Sequence, residues 1–368
     1  MLEVADSASG VAPRLSPLNR RVSNSKLATA ADAHVPPKFK YVPPLNRSML
    51  EGRMNARTLL RWRYLFSVAF PQGQTFPLAN EKAMSKLTAC DAGLGVGAGI
   101  MERVTAAMER EHPSRGHCIP FFVRETKRKE FDPEHPEEDL VTRVRRFICW
   151  TRQQNFYAAQ QGYVAQLAGM QHASRFLQDL RFDATTTGDL TLSFYQHQLT
   201  KDQRAFVRFY DVDGNLYQMC RGLMGHSCFV EIQDIATRVI AGDPDYCMPQ
   251  YSLQVPARRV WVDGVKMSGT AAQMQAAGKF IDDAAAAVGA TWNADDRKTA
   301  VEAVTFIGGE WNHARRTIRC GAKVLARLDE QGRQCPESLS LQDLERLVAA
   351  WCTVPGSSGC RWRNIITP

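Results

Sequence analysis

Gly188-Asp-Leu-Thr-Leu-Ser-Phe-Tyr-Gln196 is the stretch that decides the reading of this 368-residue chain. Asp189 stands where the polar, Thr-rich segment from Asp183 to Thr187 gives way to an apolar, aromatic one, and Phe194 follows it five residues later. Two readings of that carboxylate are open. An Asp ahead of an apolar run is an ordinary helix N-cap. An Asp at a strand-to-helix junction that faces a second carboxylate is instead half of a site for a divalent cation. About seventy residues downstream, Arg259-Val-Trp-Val-Asp-Gly-Val-Lys-Met267 offers the second carboxylate: the β-prone arms Val260–Val262 and Val265–Met267 flank Asp263-Gly264, a strong hairpin signal. The tip of that hairpin would hold Asp263 toward Asp189. Hard oxygen ligands in such a pair suit the Mg²⁺ chemistry of nucleotidyl transfer.

Further features follow in order. These are Ala205-Phe-Val-Arg-Phe209 with the turn Asp211-Val-Asp-Gly-Asn215; Arg221-Gly-Leu-Met-Gly225 and the stretch on to Gln233; and Phe306-Ile-Gly-Gly309 with Trp311-Asn-His313 and Thr317-Ile-Arg-Cys320. Asp189 to Leu199 resembles the first palm motif of reverse transcriptases, where a metal-binding Asp is followed at the fifth position by an aromatic and at the seventh by Gln. Arg221 to Gln233 is similar to that family's second motif, with Gly222 and Leu223 in place of a Leu-Pro pair. Trp261-Val-Asp-Gly264 occupies the place of the Tyr-x-Asp-Asp box, and Phe306-Ile-Gly-Gly309 resembles the primer-grip strand. The resemblance spans roughly residues 117 to 330, and its flavour is closest to tyrosine-recombinase-type retroelements (DIRS-like, VIPER-like and telomere-associated transposable elements).

The resemblance implies an α+β right-hand polymerase with fingers and palm, an antiparallel palm sheet and flanking helices. It implies Asp189 and Asp263 as catalytic, metal-binding residues for Mg²⁺ or Mn²⁺, and Phe194 beneath the sugar, where its ring excludes a 2′ hydroxyl. Gln196 and Gly225 are expected to line the nucleotide site, and Phe306, Gly308 and Gly309 to form the primer grip. Pro120 to Lys127 and Arg145 to Asn155 look like two fingers strands, so Lys127, Arg145 and Arg146 read either as binding the triphosphate of a deoxynucleotide or as a solvated basic patch. Expected partners are an RNA or DNA template with its primer, deoxynucleoside triphosphates and other retroelement-encoded proteins. The pattern departs from the family at Gly264, which replaces a third carboxylate. The alternative reading is therefore a catalytically inactive, nucleic-acid-binding remnant of the same fold.

Composition agrees with these expectations without deciding among them. Hydrophobic residues make up 44% of the chain, enough for a substantial core. A formal net charge of +8 suits a polyanionic partner. The absence of a long apolar run or secretory leader predicts no membrane span and a nuclear or cytoplasmic, not secreted, protein. None of the ten cysteines forms a Cys-x-x-Cys pair, so all are expected as free thiols. Residues 1–54, rich in Ser, Ala, Pro and basic side chains, read as a disordered basic arm. Residues 55–116 read as a helical lead-in capped by Asn55, with a second helix from Ile100 to Arg110. Gly93-Leu-Gly-Val-Gly-Ala-Gly99 lacks the spacing and the preceding strand of a phosphate loop and reads as a hinge or close-packing segment. Fingers and palm are expected over 117–320, with a helical palm segment over Thr270–Val288 ending at Gly289. Residues 321–368 are expected as a partial thumb or connection, helical and then loop. No ribonuclease H constellation follows, which points to a fragment of a longer element product or a decayed copy.

Overall fold

The structure is a computed structural model that describes residues 35–76, 87–128, 141–167, 178–307 and 309–320. In chain order the elements are α1 (Arg47–Glu51), α2 (Ala56–Ala69), α3 (Ala89–Gly97), β1 (Met101–Arg103), α4 (Ala106–Glu111), β2 (Ile119–Arg128), β3 (Val141–Trp150) and α5 (Arg152–Gln160). They continue with β4 (Ala184–Asp189), a 3-10 turn (Ser193–Gln196), the single-turn α6 (Lys201–Arg204), β5 (Arg208–Tyr210), β6 (Leu216–Met219) and α7 (Ser227–Ile240). Then come β7 (Ala257–Trp261), β8 (Gly264–Gly269), α8 (Ala271–Val288), β9 (Lys298–Val301), β10 (Ala303–Phe306), β11 (Gly309–Asn312) and β12 (Thr317–Cys320). The class is α+β, built on antiparallel sheets with flanking helices, as expected.

The chain divides into two units. The first comprises Met1–Lys38 and Phe122–Arg146, the second Phe39–Phe121 and Phe147–Pro368. In the first unit Arg145 is buried: its Nε donates to the Val35 carbonyl at 2.5 Å, and its guanidinium lies 4.6 Å from the centre of the Phe122 ring. Arg146 donates to Glu125 Oε2 at 2.8 Å.

The second unit is organised by a four-stranded sheet of order β7-β8-β4-β9. Its central strand β4 reads Ala-Thr-Thr-Thr-Gly-Asp, a β-branched run buried on both faces. Burial of three hydroxyls is tolerated because each donates to a carbonyl: Thr185 to Met267 at 2.6 Å, Thr186 to Met274 at 2.8 Å and Thr187 to Asp296 at 3.2 Å. Alternation along β8 sets the two faces. Val265 and Met267 meet Met274, Ala277 and Ile281 of α8 in an apolar cluster. Lys266 and Ser268 point the other way, where the ammonium of Lys266 lies 5.0 Å over the Trp311 ring of β11. Helix α8 starts at a capping box, Thr270 with Gln273, and stops at Gly289 with φ 71°, the boundaries read from its sequence. Helix α7 packs on α2 through Phe66, Phe70, Phe229 and His226, whose rings lie about 6 Å apart.

Several expectations change. Residues 35–54 are not a disordered arm: α1 forms there, capped by Asn46, and Val42, Leu45, Leu50 and Met54 are buried. The polar and proline-rich average of the segment hides these sparsely spaced anchors. The glycine-rich segment at 93–99 continues helix α3, and a Cβ at Gly95 would come 2.5 Å from Met101 Cε, so close packing explains one of its glycines. The stretch 100–110 begins as strand β1, paired with β6, and only then turns helical as α4. Asn55 caps α2 as expected, accepting from Thr58 N–H at 2.9 Å. Cys118 and Cys149 are joined in a disulfide, with Cα atoms 5.8 Å apart, although all cysteines were expected as free thiols. The two are 31 residues apart, so no short spacing marks the pair. Cys90, Cys220, Cys228 and Cys247 are free. The helices expected beyond residue 320 lie outside the described residues.

Candidate active site

Asp189 is the last residue of β4 and caps no helix; the 3-10 turn begins four residues later, with Leu192 at its N-cap. Its strand pairs with β8 in a register that sets Gly188 opposite Val265 and Asp189 opposite Gly264. Asp263 therefore comes immediately before the residue that faces Asp189, and the Leu190 N–H donates to the Asp263 carbonyl at 3.0 Å. Both carboxylate residues are half-buried at one end of the sheet.

The hairpin differs by one residue from its sequence reading. Trp261 pairs with Gly264, so Val262 and Asp263 form the turn and Gly264 opens β8. Val262 accepts a positive φ of 54°, an uncommon conformation for a β-branched residue. A Cβ at Gly264 would lie 3.3 Å from Phe306 Cε2 and 3.4 Å from Asp189 Oδ1, so the strand passes close to both side chains. Phe306 of β10 thus abuts the turn, with Gly309 as its cross-strand partner. Gly308 lies outside the described residues.

Sequence reasoning missed three supports of this site. Ser193 Oγ donates to Asp263 Oδ2 at 3.1 Å, linking the loop after Asp189 to the other carboxylate. Leu192, at φ 46°, turns the chain so that Ser193 points inward, and no residue preference announces a left-handed Leu. The loop after α8 brackets β4: Asn293 N–H donates to the Asp189 carbonyl at 2.7 Å, and a Cβ at Gly188 would lie 2.9 Å from the Trp292 ring. Asp234 of α7 accepts from Val262 N–H at 3.1 Å.

The residues expected around a nucleotide divide. Phe194 is half-buried in the 3-10 turn that follows Asp189. Gln196 is fully buried and its amide is spent on backbone: Nε2 donates to the carbonyls of Thr191 at 2.7 Å and Thr291 at 3.1 Å, and Oε1 accepts from Thr291 N–H at 3.0 Å. It shapes the loop and has no group left to offer a ligand. Gly225 is at φ 122°, and a Cβ there would lie 2.7 Å from the Cys149 carbonyl, so its role is close approach of two backbones. Arg145 is buried, with its Nε on the Val35 carbonyl and its guanidinium over the Phe122 ring. Arg146, half-exposed, is held by Glu125. The Lys127 side chain lies outside the described residues.

Gly222, which replaces the Leu of the Leu-Pro pair in the second motif, also has a steric reason. A Cβ there would come 2.3 Å from the Phe194 carbonyl oxygen and 2.9 Å from Phe229 Cε1. Gly222→Ala is expected to push the 193–196 turn away from α7 and to destabilise the chain by roughly 1–3 kcal/mol, read as a lowered urea midpoint. An unchanged midpoint would show that the loop yields freely.

Among the described residues no group of three or more His, Cys, Asp or Glu side chains is placed to hold a metal ion. The available donor set is the Asp189 and Asp263 pair, a hard-oxygen set that fits Mg²⁺ or Mn²⁺ when waters complete the shell. No helix among the described residues is long and apolar enough to cross a membrane.

No protein-family model matches the chain, and no curated protein matches it. Solved structures of a foamy viral protease-reverse transcriptase do. The structure in complex with double-stranded DNA is 13% identical, covers 83% of this chain and 61% of its own, and superposes with a TM-score of 0.48. A dRH form, also with double-stranded DNA, is 13% identical over 86% of this chain and 54% of its own, with a TM-score of 0.47. The complex with an RNA/DNA hybrid gives 13% identity, 83% and 39% coverage, and a TM-score of 0.43. This chain spans between about two-fifths and three-fifths of the length of these structures.

Proposed function

We propose that this chain is a retroelement-derived reverse transcriptase that adds deoxynucleotides to a primer 3′ end on an RNA or DNA template. One observation carries the reading: the β4–β8 register sets Asp189 against the tip of the β7–β8 hairpin, beside Asp263, in the order the motif resemblance requires. Asp189 and Asp263 would hold the divalent ion, which when bound supplies charge neutralisation at the phosphate and activation of the attacking hydroxyl. Ser193 orients the Asp263 carboxylate, and the 291–293 loop fixes the strand end that carries Asp189. Phe194 would lie under the sugar and exclude a 2′ hydroxyl by its bulk. Phe306 and Gly309 would grip the primer strand, and a net charge of +8 favours the polyanion.

A second reading rests on Gly264. With two carboxylates where the family usually presents three, metal binding weakens, and the fold would serve as a nucleic-acid-binding module without catalysis. Primer extension on an RNA template with Mg²⁺ or Mn²⁺ separates the two. The enzyme reading predicts extension that Asp189→Ala lowers by roughly a hundredfold or more, and that Gly264→Asp, whose Cβ needs only a small shift of Phe306, preserves or raises. Absent extension with retained, salt-sensitive primer-template binding would favour the module. Neither extension nor binding would overturn both.

A further inference from the structure

The turn that presents Asp263 is held from one side by a pair of charged residues on one helix. Asp234 and Arg238 lie one turn apart on α7, and both are buried. Asp234 Oδ1 accepts from the Val262 N–H at 3.1 Å, and its Oδ2 accepts from Arg238 Nε at 2.7 Å. Arg238 Nη2 donates to the Val260 carbonyl at 3.3 Å, and its Nη1 to Asp243 Oδ2 at 3.0 Å; the Tyr246 ring lies 5.0 Å from its guanidinium. One side-chain pair therefore grips Val260, next to last in β7, and Val262, the first turn residue, together.

What it grips is a conformation with little local preference. Val262 is β-branched and sits at φ 54°, where its side chain crowds its own backbone. A conformation of that kind persists when the surroundings over-determine it. A buried ion pair, for its part, is poor evidence of stability, because apolar residues of similar volume serve as well or better. Its distinctive contribution here is directional, an acceptor aimed at one amide and a donor aimed at one carbonyl.

We propose that Asp234 and Arg238 are positioning residues that fix the 261–264 turn and thereby set the Asp263 carboxylate against Asp189. Both act through the backbone of the turn, at the Val262 N–H and the Val260 carbonyl. The proposal deepens the polymerase reading and rests on it for its catalytic meaning, while the clamp itself is independent of that reading.

Two readouts on the full chain test it, with Asp234→Ala, Asp234→Asn and, as a control that touches Arg238 but not the turn, Asp243→Ala. Amide exchange followed residue by residue should show Val262 exchanging at least about tenfold faster in Asp234→Ala, with the β8 amides of 265–269 unchanged. Asp234→Asn keeps a carboxamide oxygen for Val262 but turns its NH2 toward Arg238, and should fall between Asp234→Ala and wild type, while Asp243→Ala should stay within about twofold of wild type. Mn²⁺ affinity, measured by titration, should fall about tenfold in Asp234→Ala and recover in part in Asp234→Asn. Unchanged Val262 exchange in Asp234→Ala overturns the clamp. Equal loss of protection across the whole chain in both Asp234 variants also overturns it, since that is general destabilisation. If wild-type Mn²⁺ binding proves insensitive to Asp189→Ala and Asp263→Ala, the polymerase reading fails, and Val262 exchange alone still decides the clamp.

Discussion

Asp179→Ala is expected to destabilise the chain by about 3–5 kcal/mol, because it strands two cations under the central sheet. Asp179 is buried, and its two oxygens accept from different strands: Oδ1 from Arg259 Nη2 at 2.7 Å on β7, and Oδ2 from Lys266 Nζ at 3.1 Å on β8. Lys266 is 0% exposed, and it also meets Ser268 Oγ at 2.8 Å and the face of Trp311. Burial already pushes the Lys266 ammonium below the ordinary lysine range, and Asp179 is what opposes that push. Without it the lysine must lose its proton or its position, and the seam between β8 and β11 opens. Urea unfolding checks the loss, and a compensating variant checks its cause. Asp179→Leu combined with Lys266→Met should recover part of the stability, because an apolar pair of similar volume replaces the fully buried Asp179–Lys266 pair and leaves only Arg259, whose side chain is 17% exposed, deprived of that carboxylate. A loss below about 1 kcal/mol in Asp179→Ala would mean that water reaches the cluster.

Stability is also expected to fall steeply between about pH 6.5 and pH 4, and two histidines account for the fall. His197 and His226 are buried, and burial pushes each down to about 4. In His197 the hydrogen bond to Gln233, at 2.9 Å, and in His226 the Ala69 carbonyl offset only part of that push. The folded state therefore refuses a proton that the unfolded chain accepts near 6.5. The sign follows: stability is fully present above about 6.5 and is lost as pH falls toward 4, by roughly 3 kcal/mol for each histidine. His226 also caps α7, its Nδ1 accepting from Cys228 N–H at 3.2 Å, so its protonation removes the cap as well. His226→Asn keeps a capping oxygen and removes the titration; its urea midpoint should depend on pH about half as steeply as that of wild type over this window. An unaltered slope in that variant would remove His226 from the account.

Local rules made much of this architecture legible. Asn55, the Thr270 and Gln273 box and Gly289 announce helix ends by side-chain chemistry that needs no tertiary context, and the structure places α2 and α8 accordingly. The β7–β8 hairpin and the Asp211–Asn215 turn were equally plain. What escaped depends on contacts distant in sequence. The turn at 262–263 is displaced by one residue from the Asp-Gly signal, and its first residue, Val262, is held by Asp234 from a helix about thirty residues earlier. Gln196 and Arg145 match a ligand pattern by type, yet each donates to backbone carbonyls that only the folded chain brings near. Ser193 reached Asp263 through a left-handed leucine that no propensity favours. The disulfide between Cys118 and Cys149 joins strand ends that pair only in the fold.

The central claim is that Asp189 and Asp263 together hold a divalent cation, and its most direct test is anomalous scattering from crystals grown with Mn²⁺. The account predicts a peak with at least one carboxylate oxygen of each residue about 2.2 Å from the ion, lost in Asp189→Ala. Density for manganese elsewhere only, or a peak that survives both Asp189→Ala and Asp263→Ala, would contradict it.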